Sequence, residues 1–425
     1  MQILRLNTKK AHDYVKKLKE RNRLRVDKEE VVRRIIEDVR RKGDSALLKY
    51  TRKFDFPITD IKVSPGEIIE GWKNVERSYI SSIDALIERI KNFEKRTIPK
   101  SWIRESMGVL TGQYVNPIES VGIYVPGGKA SYPSSLLMCA VPAKMAGVKR
   151  IVVVSPPDKR GKINPHILVA ASRLSIKEIY KAGGAQAIAA LACGTQTIPK
   201  VEKIVGPGNI YVALAKKLVR GEVEIDTLAG PSEICILAAS SANPQIIAAD
   251  ILSQAEHDRD AVCVCITPSM KLAEKIERQI QVQKRKLRRT GILNSALKKG
   301  AIIITRNISE GVEIVNTIAP EHLEILTENP FGILPRIKNA GAIFLGKYSP
   351  VAFGDYIAGP NHVIPTGGTA RFSSPLSIRD FFKVSNVISC NADGFGKLVN
   401  TGIKLAGIEE MDAHINALKI RQKIN

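Results

Sequence analysis

Between Val121 and Gly346 short runs of β-branched residues alternate with alanine-rich stretches, and this alternation constrains the fold more than any other feature of the chain. The runs are GIYV (122–125), RIVVVS (150–155), EIYKAG (178–183), KIVGPG (203–208), EICILAA (233–239), AVCVCIT (261–267), AIIIT (301–305), HLEILT (322–327) and GAIFLG (341–346). Runs of this length predict strands, and strands separated by helical segments must pair in parallel through crossovers. Nine such strands exceed what one compact sheet needs, and the glycine-containing segment 226–230 falls near their middle. The expected architecture is therefore α/β, with two doubly wound modules.

The flanks differ. Apolar positions from Val26 to Lys49, interrupted at Gly43, and from Ile68 to Phe93 predict helices. From about Leu376 the alternation is lost and the chain ends in a helical pattern, GIEEMDAHINALKIRQK. With 44% hydrophobic residues the chain can build sizeable cores. No apolar stretch approaches the ~18–20 residues that span a bilayer, and the N-terminus has no secretory pattern, so a cytoplasmic protein without membrane association is expected.

Lys and Arg number 65 against 42 Asp and Glu, a net charge of +23. The densest cluster, Lys271–Lys299, would suit phosphate. Its apolar residues Leu272, Ile276, Ile280, Val282 and Leu287 instead recur at helical spacing, which predicts a solvated helix with one face on a core. No zinc-finger, RNP or helix-turn-helix pattern accompanies it, so nucleic acid is not the expected partner. The six cysteines form no CxxC pair, and Cys263 and Cys265 should share one buried face of a strand.

Six histidines mark the candidate chemistry. Asn243-Pro244 is a helix start, and on that helix Asp250, Gln254 and His257 can share a face near the C-terminal end, where a cation is favoured. These residues suit either a metal or a solvated surface. The loop VAFGDYIAGPNHVIPTGGTARFSS places Asp355 and His362 among glycines. Glu321-His322 joins two side chains able to move protons near neutral pH. His414 follows Glu409 and Glu410 on the last helix. The glycine turns 125–128, 182–185 and 206–209 fit either phosphate cradles or plain βα turns. GxGxxG, GxSxG and Walker A patterns are absent.

Together the segments IYVPGGKASYPSS (123–135), AGGAQAIAALACGT (182–195), KIVGPGNIYVALAKK (203–217), IDTLAGPSEI (225–234), DILSQAEHD (250–258), APEHLEI (319–325), GDYIAGPNHVIPTGGTARFSSPLS (354–377) and EEMDAH (409–414) closely resemble the histidinol dehydrogenase family in order and spacing. The resemblance implies two incomplete Rossmann-like modules in an intertwined homodimer. It divides the chain into an N-terminal helical arm (1–22), a discontinuous module (23–123 and 233–375), a second module (124–232) and a dimer-exchanged tail (376–425).

The resemblance also assigns roles. It implies oxidation of L-histidinol to L-histidine through the aldehyde, with NAD as hydride acceptor, at the end of histidine biosynthesis. One zinc per subunit would be held by Gln254, His257, Asp355 and His414, the last donated with Glu409 by the partner. The same four residues, with Ser232, His322, His362 and Glu409, would surround the substrate. NAD would meet Tyr124, Gln186 and Asn209. His322 would be the base of the oxidations, and Glu321 would activate water. A relative that oxidises another alcohol is the sharpest alternative, and the presence of both Glu409 and His414 disfavours it.

Overall fold

The computed structural model describes residues 1–21, 28–127, 131–228 and 230–423. The expected arm boundary at 22, the helix start at Val26, Gly128 of the first glycine turn and position 229 of IDTLAGPSEI lie outside the described residues. In chain order the strands are β1 (Gln2–Arg5), β2 (Trp102–Ser106), β3 (Val109–Pro117), β4 (Ser120–Tyr124), β5 (Arg150–Ser155), β6 (Glu178–Lys181), β7 (Lys203–Val205), β8 (Glu224–Ile225), β9 (Glu233–Ala238), β10 (Val262–Thr267), β11 (Ala301–Ile304), β12 (His322–Leu326), β13 (Ala342–Leu345) and β14 (Phe382–Cys390).

Two compact units are present: residues 1–97 with 119–380, and residues 98–118 with 381–425. The first unit holds two all-parallel sheets, ordered β6-β5-β4-β7-β8 and β1-β11-β10-β9-β12-β13. The nine expected runs are β4 to β7 and β9 to β13, and each set winds outward in both directions from its first strand. This is the doubly wound α/β architecture that the alternation predicts.

Burial on both faces explains the unbroken apolar runs. In the second sheet Ile234, Ile236, Cys263, Cys265 and Ile302 pack under the helices Pro244–Ala255, Met270–Lys284 and Thr290–Lys299. Their neighbours Cys235, Leu237, Val264, Ile266 and Ile303 pack on the opposite face, against the helices Lys9–Lys19 and Ile308–Ile318. Cys263 and Cys265 thus share a buried face, whereas Cys390 is exposed.

The basic cluster spans the helices Met270–Lys284, which buries Leu272, Ile276 and Ile280, and Thr290–Lys299, with residues 285–289 in the turn between them. Val282 departs from the expectation at 52% exposed. The N-terminal helical readings resolve into Glu29–Lys42 and Asp44–Phe54, broken at Gly43, and Pro65–Lys73 and Arg77–Glu94. Within the second unit β14 pairs antiparallel with β3, which pairs with β2, and two helices follow, Ala392–Ile408 and Asp412–Gln422. Among the described residues no helix is long and apolar enough to cross a membrane.

One buried ion pair fixes the turn after β7. Lys216 Nζ donates to the Gly206 carbonyl at 2.8 Å and to Asp226, whose other oxygen accepts the Gly206 N–H at 2.7 Å. Gly206 itself has φ +110°, and a Cβ there would stand 2.2 Å from the Tyr124 carbonyl oxygen. Lys216→Met leaves Asp226 buried without its partner and is expected to lower stability by about 3–5 kcal/mol. Urea unfolding checks this, and a loss under about 1 kcal/mol would show that the pair does not hold the turn.

Candidate active site

The two parallel sheets of the first unit flank a cleft of about 300 Å³. From the first sheet come Pro126, after β4, and Pro207, Gly208 and Asn209, after β7. From the second come Ser232, just before β9, and Glu321 and His322, at the start of β12. The end of the helix Pro244–Ala255 adds Gln254 and His257, and the glycine-rich loop adds Asp355, His362 and Thr366. Asn243 caps that helix through the Gln245 N–H, with Pro244 in its first turn. Asp355 is carried by a π-helical turn, Gly354–Ala358.

Hydrogen bonds fix the state of both core imidazoles. His322 Nδ1 lies 2.8 Å from the Glu233 carbonyl, which can only accept, so Nδ1 carries the proton and Nε2 keeps a free pair. His362 Nδ1 likewise faces the Asp355 carbonyl at 3.0 Å, and the Ser135 hydroxyl reaches its Nε2 at 3.2 Å. Burial lowers the affinity of each ring for a second proton, to pKa values of about 4. Glu321 lies 3.6 Å from His322 Nδ1 and accepts the Glu233 N–H at 2.8 Å. Burial, and then the charge of Glu233, push the Glu321 carboxyl well above the ordinary carboxylate range.

Beside this pair stand ligand-type side chains. Burial alone pushes Asp355 up to about 7. Desolvation first, and then the charge of Arg289, lower His257, although part of it remains open to solvent. Gln254 is buried at the cleft wall. Asp250, expected to share a ligand face with Gln254 and His257, does not line the cleft and shares a side-chain hydrogen bond with Glu324 instead. Burial and the charge of Asp250 drive the Glu324 carboxyl upward. Among the described residues no three His, Cys, Asp or Glu side chains are grouped closely enough to hold a metal by themselves.

The remaining expected residues lie elsewhere. Tyr124 and Gln186 are buried outside the cleft lining: the Tyr124 hydroxyl accepts the Gly184 N–H at 3.2 Å, and the Gln186 amide donates to Asp55 at 3.2 Å. The Tyr124 contact satisfies a backbone N–H at the start of the helix Gly184–Cys193, and Asn209, which does line the cleft, caps the helix Ile210–Val219 with its own side chain. Glu409 and His414 belong to the second unit, where both are exposed. Three residues around the site are missing from the sequence reading: Glu233, Arg21 and Ser135. Glu233 and Ser135 fall inside the quoted segments but carry no distinguishing spacing, and Arg21 has no local signal.

A parallel α/β scaffold that sets a buried Glu–His pair beside nitrogen and oxygen donors in one cleft defines an enzyme of proton-coupled chemistry with room for a metal. The histidinol dehydrogenase family model matches residues 18–422. The chain is 51% identical over 407 residues to the histidinol dehydrogenase of Caldanaerobacter subterraneus subsp. tengcongensis, covering 94% of each. It is 49% identical over 400 residues to that of Bacillus subtilis, covering 93% of this chain and 94% of the relative. The crystal structure of histidinol dehydrogenase from Elizabethkingia anophelis superposes with a TM-score of 0.94 at 38% identity, covering 100% of this chain and 98% of that one. The chain belongs to the histidinol dehydrogenase family, the NAD-dependent, zinc-containing oxidoreductases of histidine biosynthesis.

Nitrogen NMR of metal-free protein should show His322 and His362 neutral at pH 6, where an ordinary imidazole is mostly protonated, and charging only as the pH falls toward about 4. Midpoints near 6.5 for both would overturn this account of their environment.

Proposed function

We propose that this one cleft carries L-histidinol through both oxidations to L-histidine. The observation that carries the reading is the buried Glu321–His322 pair, opening on the same cleft as Gln254, His257 and Asp355. Converting a primary alcohol to a carboxylate removes four electrons, so it consumes one water, reduces two NAD and releases three protons.

The donor set fits zinc. An amide oxygen, an imidazole whose affinity for a second proton burial lowers and a carboxyl raised by burial alone are groups that a cation would stabilise. We assign the metal to Gln254, His257 and Asp355 with the partner subunit's His414, and the substrate to the same residues with Ser232, His322, His362 and the partner subunit's Glu409. When bound, the metal supplies an anchor for the imidazole and amino nitrogens of the substrate, which is catalysis by positioning. His322, with its free Nε2, takes the alcohol proton as hydride passes to NAD, and later the proton of the aldehyde hydrate. Glu321 takes a proton from the water that forms the hydrate, and its raised affinity for protons makes it a stronger base than an exposed glutamate. Asn209 meets NAD at the cleft wall, while Tyr124 and Gln186 act from behind the turn 183–184.

A shared site accounts for the exposed position of Glu409 and His414. The second unit also exposes Ile103, Val384, Ile388, Leu405 and Ile408, a set of apolar side chains that a second copy would cover. A homodimer is the proposed assembly, and the cytoplasm its proposed location.

Two measurements test this reading. Zinc-loaded protein given limiting L-histidinol should yield about two NADH per histidine formed, with activity abolished by a chelator and restored by zinc; no NADH from folded, zinc-loaded protein would reject the substrate. For the shared site, His414→Ala and His257→Ala are each expected to be inactive, while co-expression of the two should restore roughly a quarter of parent activity, because half the dimers carry one intact site. No recovery in isolated heterodimers would show that His414 serves its own chain.

A further inference from the structure

We propose that Arg21 and Glu233 form the positioning pair of the proton-transfer dyad, so that the N-terminal arm contributes to turnover through the dyad. The inference rests on the roles given above to Glu321 and His322, neither of which explains why a buried ion pair stands behind them.

Glu233 opens β9 and is 2% exposed, and its polar atoms on both backbone and side chain are engaged. Its N–H donates to Glu321 Oε2 at 2.8 Å, and its carbonyl accepts from His322 Nδ1 at 2.8 Å. Its carboxylate takes the Glu321 N–H at 3.2 Å and the Gly367 N–H at 3.1 Å. Arg21 completes the set, with Nε and Nη2 each 2.5 Å from one carboxylate oxygen. One residue therefore holds the backbone and carboxyl of Glu321, the tautomer of His322 and the loop at Gly367, and Arg21 holds that residue.

Arg21 is fixed in turn. It lies just beyond the helix Lys9–Lys19 and donates to Leu18, to Ile318 at 2.9 Å and to Ala319 at 3.4 Å, all carbonyls. The last two are at the C-terminal end of the helix Ile308–Ile318, which leads into the dyad. Arg21 thus ties the arm, the approach to β12 and the start of β9 into one rigid knot. A bidentate fork suits this task, because it sets the angle of the carboxylate as well as its distance. Neither Arg21 nor Glu233 lines the cleft, so neither touches substrate and both act through the dyad.

A purely structural pair predicts a different outcome, since apolar residues of similar volume commonly replace a buried ion pair without loss. The test uses the full-length, zinc-loaded enzyme with Arg21→Met, Arg21→Lys, Glu233→Gln and the double variant Arg21→Met/Glu233→Gln. Arg21→Met is expected to lower kcat by tenfold or more, with KM for L-histidinol and zinc content within about twofold of the parent, because the anchoring residues sit on other elements. Arg21→Lys should recover part of the loss, and the double variant should be no worse than Arg21→Met, as members of one unit are not additive. Nitrogen NMR of His322 gives a readout independent of substrate: Nδ1–H in the parent, a mixture of tautomers in Arg21→Met. Unchanged kcat in Arg21→Met, or parallel losses of kcat, KM, zinc and thermal stability, would overturn the proposal. A parent that does not oxidise L-histidinol would defeat the substrate reading instead, and retention of the Nδ1–H tautomer in Arg21→Met would then still overturn this one.

Discussion

The site depends on the register of β12 against β9. Parallel pairing sets His322 beside Ile234 and Leu323 beside Cys235, which leaves Glu321 level with Glu233 where both strands begin. Apolar packing fixes that register. Leu323 and Ile325 enter the core that holds Cys235 and Leu237, whereas Leu326 joins Ile234, Ile236 and Ala238 on the other face. A slip of one residue would reverse every one of these side chains. Each buried Leu or Ile contributes about 1.5–3 kcal/mol, against about 1 kcal/mol net for a typical hydrogen bond, so packing decides the register and the polar contacts of the dyad follow from it.

The same topology is used at opposite ends in the two modules. Open parallel sheets bind ligands beyond the carboxyl ends of their strands, where the winding reverses. The first sheet does so: Pro126 follows β4, and the turn 206–209 follows β7. The second presents its amino ends, with Ser232 ahead of β9 and Glu321 and His322 at the start of β12. The helices that frame the cleft therefore differ in polarity. The helix Ile210–Val219 turns its N-terminus, partially positive, toward it, and the helix Pro244–Ala255 turns its C-terminus, partially negative, toward it. An anionic dinucleotide suits the first wall and a cation the second, so the inverted use of the second module would separate the two within one cleft.

The elements legible in the sequence are those whose burial is uniform. Strands covered on both faces show as continuous apolar runs, and Asn243-Pro244 marks its helix start because capping is a local interaction. Strands β2, β3 and β14 escaped because β2 and β14 lie largely exposed and β3 is only half-buried, in an antiparallel sheet without the contrast that the alternation supplies. Glu321, His322, Asp355 and His362 stood out by chemistry and setting. Helical spacing placed Gln254 beside His257, but only the family resemblance singled it out as a ligand, since an amide at that spacing looks like any polar surface residue. Asp250 misled for a related reason: helical spacing places it on the face of Gln254, but only the tertiary structure shows Glu324 opposite it. Arg21 could not be found from sequence at all, because its partner is 212 positions away.

Burial moves the acids and bases of this site toward one another. Carboxyls rise, Asp355 to about 7, and imidazoles fall, His322 and His362 to about 4, so the ordinary order of the two classes is reversed. Near neutral pH the rings are then bare while protons remain on part of the carboxyl population, the distribution that a base of the His322 type requires. The reversal has a cost at Asp355, since near neutral pH water favours the ionised carboxyl that burial disfavours. A cation beside Asp355, as proposed, would lower that cost by stabilising the carboxylate, and would leave His322 neutral because a positive charge opposes a second one on the ring. On the proposed assignment, metal binding at Asp355 and a neutral His322 would therefore support each other through the electrostatics of one cleft.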